Sequence, residues 1–223
     1  EWSDGVNTVE EMALAASKLG RKMIAMTDHV GQLAIAHPLN NKRLAQQAAI
    51  IDKLNKKLDI KILKGAEVDI LKNGRLALSR EEQDKLDIVL ASVHLATKMP
   101  SSEMTARIVK AIENDRVHIL AHPTGRLLSE REPYPFDFER VCEAAKANDV
   151  FLELNAYPDR MDLSGELARK AKEIGCRFSI GTDAHSVEHL KFLKFGVYMA
   201  RRGWVEKKDI LNCWDLKEIE RVL

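Results

Sequence analysis

The sequence predicts an α/β protein whose parallel sheet curls into a closed or nearly closed barrel, and three observations carry that prediction. Short apolar runs alternate with helical segments along all 223 residues, as expected of strands buried on both faces and joined by helices. Five of those runs end in His, Asp or Glu. Run 23–26 leads to Thr27-Asp28-His29, 60–66 to Glu67, 88–93 to His94, 117–121 to His122, and 176–182 to Asp183-Ala184-His185. Such folds gather their chemistry at strand carboxyl ends, and endings spread over so many strands favour a barrel over an open sheet with one switch point.

The elements follow in order. Thr8-Val9-Glu10-Glu11 has capping-box spacing, so a helix opens there and runs to about Leu19, where Gly20 stops it. The first visible strand covers about 22–27. A long amphipathic helix over about 40–58 precedes a strand at 60–66 and a turn at Lys72-Asn73-Gly74. Ser79-Arg80-Glu81-Glu82 starts a short helix leading to a strand at 87–93; Ser102 is expected to cap a helix ending near Asn114. After a strand at 116–121, the stretch 124–135 holds Gly125, Pro133 and Pro135 and reads as a long loop. A helix at about 136–148 precedes a strand at 149–155, and one at about 164–174 precedes a strand at 176–182. Short helices after Ser186, around 191–202, around 206–211 and at the end complete the chain. Six visible strands in this alternation imply parallel neighbours with right-handed crossovers.

Composition narrows the function classes. Apolar residues make up 45% and charged residues 31%, which excludes a disordered chain. The net charge of +1 gives no global attraction to nucleic acid, so phosphate contacts must come from a local patch. Cys142, Cys176 and Cys213 show no CxxC spacing and read as reduced thiols of a cytoplasmic protein. No apolar run approaches the roughly 18 residues of a membrane span. The chain opens at Glu1 without a methionine and is expected to be a fragment.

His29, Glu67, His94, His122, Asp183 and His185 offer nitrogen and oxygen donors without any thiolate. That set suits catalytic zinc, manganese or iron better than a structural zinc site. Two ions about 3.5–4 Å apart suit phosphoester hydrolysis, because they activate a water and stabilise the leaving oxygen. Glu67, the lone Glu among the endings, is the natural bridging ligand. His118 lies within its strand and His37 and His189 lie at no strand end, so all three read as structural. Asp28 is expected to bond its surroundings or orient a liganding imidazole, and Asp69 to be structural.

Longer motifs carry a family resemblance. They are Thr27-Asp28-His29, Gly65-Ala66-Glu67-Val68-Asp69-Ile70, Ser92-Val93-His94, Ala121-His122-Pro123 and Thr182-Asp183-Ala184-His185. With these stand Ser3-Asp4-Gly5, Thr124-Gly125-Arg126-Leu127-Leu128, Arg131-Glu132-Pro133-Tyr134, Glu153-Leu154-Asn155-Ala156, Pro158-Asp159-Arg160 and Arg201-Arg202-Gly203-Trp204. The chain resembles the PHP (polymerase and histidinol phosphatase) superfamily, and within it the PHP domain attached to bacterial and archaeal family X DNA polymerases.

The resemblance implies a distorted seven-stranded, TIM-like (β/α) barrel holding two to three divalent ions, manganese or zinc with iron as a further option. Glu67 would bridge the first two, His94 and His122 complete the second, and Asp183 serve the first. His29 and His185 would hold the third, approached by Asp4. The family's first strand carries a His-x-His pair just before Ser-Asp-Gly, ahead of where this chain begins. The expectation is therefore a single PHP domain over 1–223, N-terminally incomplete, with weakened metal loading if that strand is truly missing.

Four basic residues, Lys98, Arg126, Arg131 and Arg160, are expected to hold substrate phosphates. Arg126 is placed first and, with Glu67, given a catalytic role. Tyr134 and Trp204 are read as packing residues. No aromatic-rich basic face is visible, so tight binding to long DNA would need a neighbouring polymerase domain. The function implied is metal-dependent phosphoesterase chemistry, as a 3′→5′ exonuclease acting on DNA 3′ ends and linked to an upstream polymerase domain. The rivals are a free-standing phosphatase of small phosphomonoesters and a structural domain without catalysis.

Overall fold

A computed structural model describes residues 1–223. Helix α1 (Val9–Lys18) begins where the capping box lies: Thr8 Oγ1 accepts from Glu11 N at 3.1 Å, and Glu11 Oε2 accepts from Thr8 N at 2.8 Å. Strand β1 (Met23–Met26) follows, and after Thr27-Asp28 a two-residue strand β2 (His29–Val30) resumes the same direction. Helix α2 (Asn41–Asn55), capped by the Asn40 side chain, leads to β3 (Lys61–Asp69), the longest strand. A one-turn helix α3 (Arg80–Gln83), capped by Ser79, precedes β4 (Ile88–Ser92).

Helix α4 (Ser101–Ile112) starts two residues earlier than expected. Pro100, which lacks an N–H, takes the N-cap position with no side-chain cap bond, so Ser102 lies inside the helix rather than capping it. Strand β5 shrinks to Ile119–Leu120. Helix α5 (Phe138–Ala147), strand β6 (Phe151–Asn155), helix α6 (Gly165–Ile174) and strand β7 (Phe178–Gly181) then alternate. Ser164 caps α6, and Gly175 ends it in the left-handed region at φ 103°. A 3-10 helix, Val187–Phe192, runs into α7 (Leu193–Arg202); short 3-10 turns and α8 (Leu216–Val222) finish the chain.

All seven strands are parallel, in the order β1-β3-β4-β5-β6-β7, with β2 also paired to β3. The sheet curls into a half-barrel of the distorted TIM-like kind, with β1 and β7 at its two ends. The edge of β7 is occupied locally by Asn212. Its Oδ1 accepts from Ile180 N at 2.7 Å and its Nδ2 donates to Ile180 O at 3.0 Å.

Side-chain alternation sorts the strands into two faces. Ala66, Val68, Ile70, Val89, Ala91, Leu120, Leu152, Leu154, Phe178 and Ile180 point outward and pack beneath the helices in the main core. Leu63, Ile88, Leu90, Ile119, Ala121 and Phe151 point inward and are plugged by Leu211 and Ile219. Cys142 and Cys176 are buried core residues, with the Cys176 thiol donating to Cys142 O. No helix is long and apolar enough to cross a membrane.

Candidate metal centre

The inward parity that buries Leu63 also turns Glu67 and Asp69 to the interior at the carboxyl end of β3. The register places His29 of β2 directly beside Glu67. His94 lies two residues past β4, and His122 two past β5. His122 at φ 27° and Asp183 at φ 49° both take left-handed backbone, which re-aims the chain as it leaves the strand.

Six side chains converge. Glu67 Oε1 lies 2.8 Å from His122 Nε2 and 3.3 Å from His94 Nε2, and its Oε2 is 3.5 Å from His29 Nδ1. Asp4 Oδ2 lies 3.5 Å from His29 Nε2 and 3.3 Å from His185 Nε2. Two ligand triads result, Asp4–His29–His185 and His29–Glu67–His94, each with its donor atoms within 4.8 Å of one another. His29 belongs to both. Asp183 belongs to neither triad: its Oδ2 accepts from Asn155 Nδ2 and Arg160 Nε, both at 3.1 Å.

Two of the imidazoles are oriented by outer partners. His94 Nδ1 donates to Asp69 Oδ1 at 2.7 Å, and His185 Nδ1 donates to the Asp183 carbonyl at 2.7 Å. Each outer nitrogen thus carries its proton, and each inner Nε2 faces a carboxylate, the pattern by which outer partners fix a metal-binding tautomer. His29 Nδ1 and His94 Nε2 are buried without a hydrogen-bond partner. Buried polar atoms without a partner are costly, and a divalent cation, displacing any proton there, would satisfy both nitrogens. The donor set fits divalent metal ions.

Charge perturbations follow from this crowding. Burial would raise the Glu67 carboxyl, but the His94 charge and the His122 bond overcome it and hold the group well below the usual range. Burial would lower His94, yet the Glu67 charge and the Asp69 bond carry it up to about 9. The bond from Asp4 lifts His185 to about 9 against its burial. His122 falls to about 4, through burial and then the nearby Arg160 charge. Beneath them Glu153, buried on the inward face of β6, accepts from His122 N at 2.6 Å. Burial and then the Asp183 and Glu67 charges push it up to about 8.

The basic residues divide differently from the sequence reading. Arg126, expected to lead in substrate binding and catalysis, instead donates through Nε to Arg160 O at 2.9 Å and through Nη2 to Met161 O. Two of its donor groups clamp the 157–163 loop. Arg131 is similarly tied, through Nε, to Gly125 O at 2.9 Å. Lys98 is exposed. Arg160 is the cation that fronts the centre, with Nη1 buried and unpartnered.

Sequence reasoning read Asp69 as structural and gave Glu153 and Asn155 no role beyond a motif; the signal available was an acid or amide at an inward position of an apolar strand. Asp28 bonds its surroundings and no imidazole, accepting from Ser3 N and Oγ and from Gln47 Nε2. His118 is satisfied inside the fold, accepting from Val89 N at 3.0 Å. His189 is not idle, because its Nδ1 accepts from His185 N at 3.3 Å.

A parallel half-barrel with imidazoles and carboxylates gathered at its strand carboxyl ends defines the class of metal-binding α/β barrel proteins. The chain belongs to the PHP domain family, whose model matches residues 1–157. It is 43% identical over its full length to the DNA polymerase/3'-5' exonuclease PolX of Bacillus subtilis, spanning 39% of that protein. It is 35% identical, over 97% of the chain, to a probable phosphatase of Thermoanaerobacter sp., covering 88% of that relative. Its fold matches histidinol phosphate phosphatase from Lactococcus lactis, solved with zinc, L-histidinol and phosphate, at a TM-score of 0.64 and 15% identity over 92% of this chain and 91% of that one.

Proposed function

We propose that the chain is a metal-dependent phosphoester hydrolase that trims DNA 3′ ends, as the end-processing domain of a cytoplasmic family X polymerase. The observation that carries this is the pair of ligand triads sharing His29, with Glu67 placed between His29, His94 and His122. Two to three divalent cations, manganese or zinc with iron as a further option, would be held there. Glu67, His29, His94 and His122 form one part of the site and Asp4, His29 and His185 the other, with Asp183 adjacent. When bound, such ions activate water and stabilise charge on a phosphoester.

The remaining steps belong to the chain's own residues. Arg160, half-buried beside Asp183, would neutralise a substrate phosphate. Asp69 and the Asp183 carbonyl hold His94 and His185 in their tautomers. Similarity to the polymerase relative along the whole chain supports DNA as substrate and a covalently linked polymerase as partner. The alternative, a small phosphomonoester, is favoured by the relative named a probable phosphatase, of which the alignment covers 88%.

The two readings separate in one experiment. Protein loaded with manganese or zinc is offered a 3′-terminal single-stranded oligonucleotide and p-nitrophenyl phosphate. Removal of 3′ nucleotides supports the exonuclease; turnover of the monoester alone supports the phosphatase. Failure on both, with metal bound, leaves a structural domain.

A further inference from the structure

A row of aromatic side chains leaves the metal centre and crosses the adjoining surface. The Tyr157 ring lies edge-on to His185 at 5.8 Å, to His189 at 5.3 Å and to Phe192 at 5.5 Å. His189 stacks on Phe192 with centroids 5.0 Å apart. Phe195 follows at 6.0 Å from Phe192, and Tyr198 at 6.4 Å from Phe195. The sequence reading expected no aromatic-rich basic face; the fold brings these rings into a row.

The local sequence explains the row. His189, Phe192, Phe195 and Tyr198 are spaced by three, and the first two lie on the 3-10 helix Val187–Phe192, where residues three apart eclipse one another. The row continues along α7 beside, and not within, its buried side of Gly196, Met199 and Ala200. Tyr157, His189, Phe192 and Phe195 remain half-buried, and Tyr198 is 52% exposed. A core-packing role accounts for Phe195, which touches the main core; it does not account for Tyr198.

Charge and position name the occupant. Residues 187–202 contain Lys191, Lys194, Arg201 and Arg202 against the single acid Glu188. Lys191 pairs with Glu188, and Lys194 Nζ sits 5.1 Å from the Phe195 ring centre. Flat rings accept any base by stacking while cations follow the phosphates, which is how proteins hold single strands without reading sequence. At its inner end the row touches His185, a member of the Asp4–His29–His185 triad.

We propose that Tyr157, His189, Phe192 and Tyr198 form a base-stacking track that guides an unpaired DNA strand into the metal centre. The track rests on the hydrolase reading above and adds to it a substrate dimension: longer single strands bind better than a lone nucleotide ester.

The test compares hexathymidylate with thymidine 5′-(p-nitrophenyl phosphate) as substrates of the metal-replete protein and of Phe192→Ala, Tyr198→Ala and Phe192→Trp. Losing one stacking ring raises the hexathymidylate KM about fivefold or more in either alanine variant, with kcat held within about twofold. Phe192→Trp keeps the low KM. Tyr198→Ala, at an exposed position, guards against a folding defect at Phe192. An unchanged KM in both alanine variants overturns the track and leaves the row as a protein-docking face. An equal loss on both substrates overturns it as well, since that marks a structural role. Anisotropy of fluorescein-labelled hexathymidylate with chelated protein separates the two layers. Ring-dependent binding without cleavage by the loaded protein would retract the exonuclease alone; cleavage with a ring-independent KM would retract the track alone.

Discussion

Replacing Glu153 with Gln exposes what it costs to keep a carboxyl beneath the metal centre. Burial, then the Asp183 and Glu67 charges, push this group from an ordinary 4.5 up to about 8. A raised folded pKa means that its contribution to stability is complete below the unfolded value and is lost as pH climbs toward 8. From about pH 5 to about pH 7.5 the unfolded chain is ionised here while the folded group stays protonated. At about 1.36 kcal/mol per unit, that interval amounts to about 3 kcal/mol. Gln retains an acceptor for His122 N and cannot ionise. One kcal/mol moves Tm by about 2–4 °C in a chain of this size, so the variant's advantage over the parent grows by roughly 6–12 °C across the interval. Calorimetry in EDTA measures it, and the gap shrinks when cations are restored, because their charge favours the ionised parent. Parallel Tm–pH curves for the two chelated proteins would refute a neutral carboxyl under the site.

Three further outcomes follow from the geometry. Asp69→Asn weakens the anchor on His94 Nδ1 and lowers metal affinity or hydrolysis by about 10–100-fold; full metal content and activity in the purified variant would argue against that anchoring. His94 and His185, both near 9 in the metal-free protein, are protonated at neutral pH, so cation binding expels protons there and tightens as pH rises. Calorimetric titration in buffers of different ionisation enthalpy counts them, and a proton count that stays constant past pH 9 would contradict the assignment. Ser164→Ala removes the N-cap of α6, whose Oγ accepts from Leu167 N at 3.2 Å, and costs about 1 kcal/mol; chemical denaturation shows this as a lower midpoint with an unchanged slope.

Much of the architecture was legible because a parallel barrel writes its site at strand ends. An apolar run running into His29, Glu67, His94, His122 or Asp183 announces the strand, although β3 runs two residues past Glu67 and His29 opens β2. The strand at 116–121 was overread because β5 pairs through only two residues on each side, although its flanks are apolar and buried. Asp69 was read as structural, and Glu153 was left without a role, for a different reason. Their value depends on which face of the strand they occupy, and a fully buried strand shows no polar alternation to reveal it. Arg126 was placed first on its proximity to His122 in sequence, which says nothing about where its guanidinium donors find carbonyls. The aromatic row stayed hidden because a 3-10 turn aligns its first two rings and α7 its last two, and the sequence does not show where one helix type passes into the other.

The Asn212 carboxamide leaves one more mark on how this molecule behaves in solution. By offering an acceptor to Ile180 N and a donor to Ile180 O, it imitates one residue of an absent neighbour and blocks that spot as a template for chain-to-chain growth. An aspartate there would set a negative charge against the Ile180 carbonyl and reopen the border. Greater aggregation is the outcome expected of Asn212→Asp, tempered by Ile210, which bridges Phe178 on the same border.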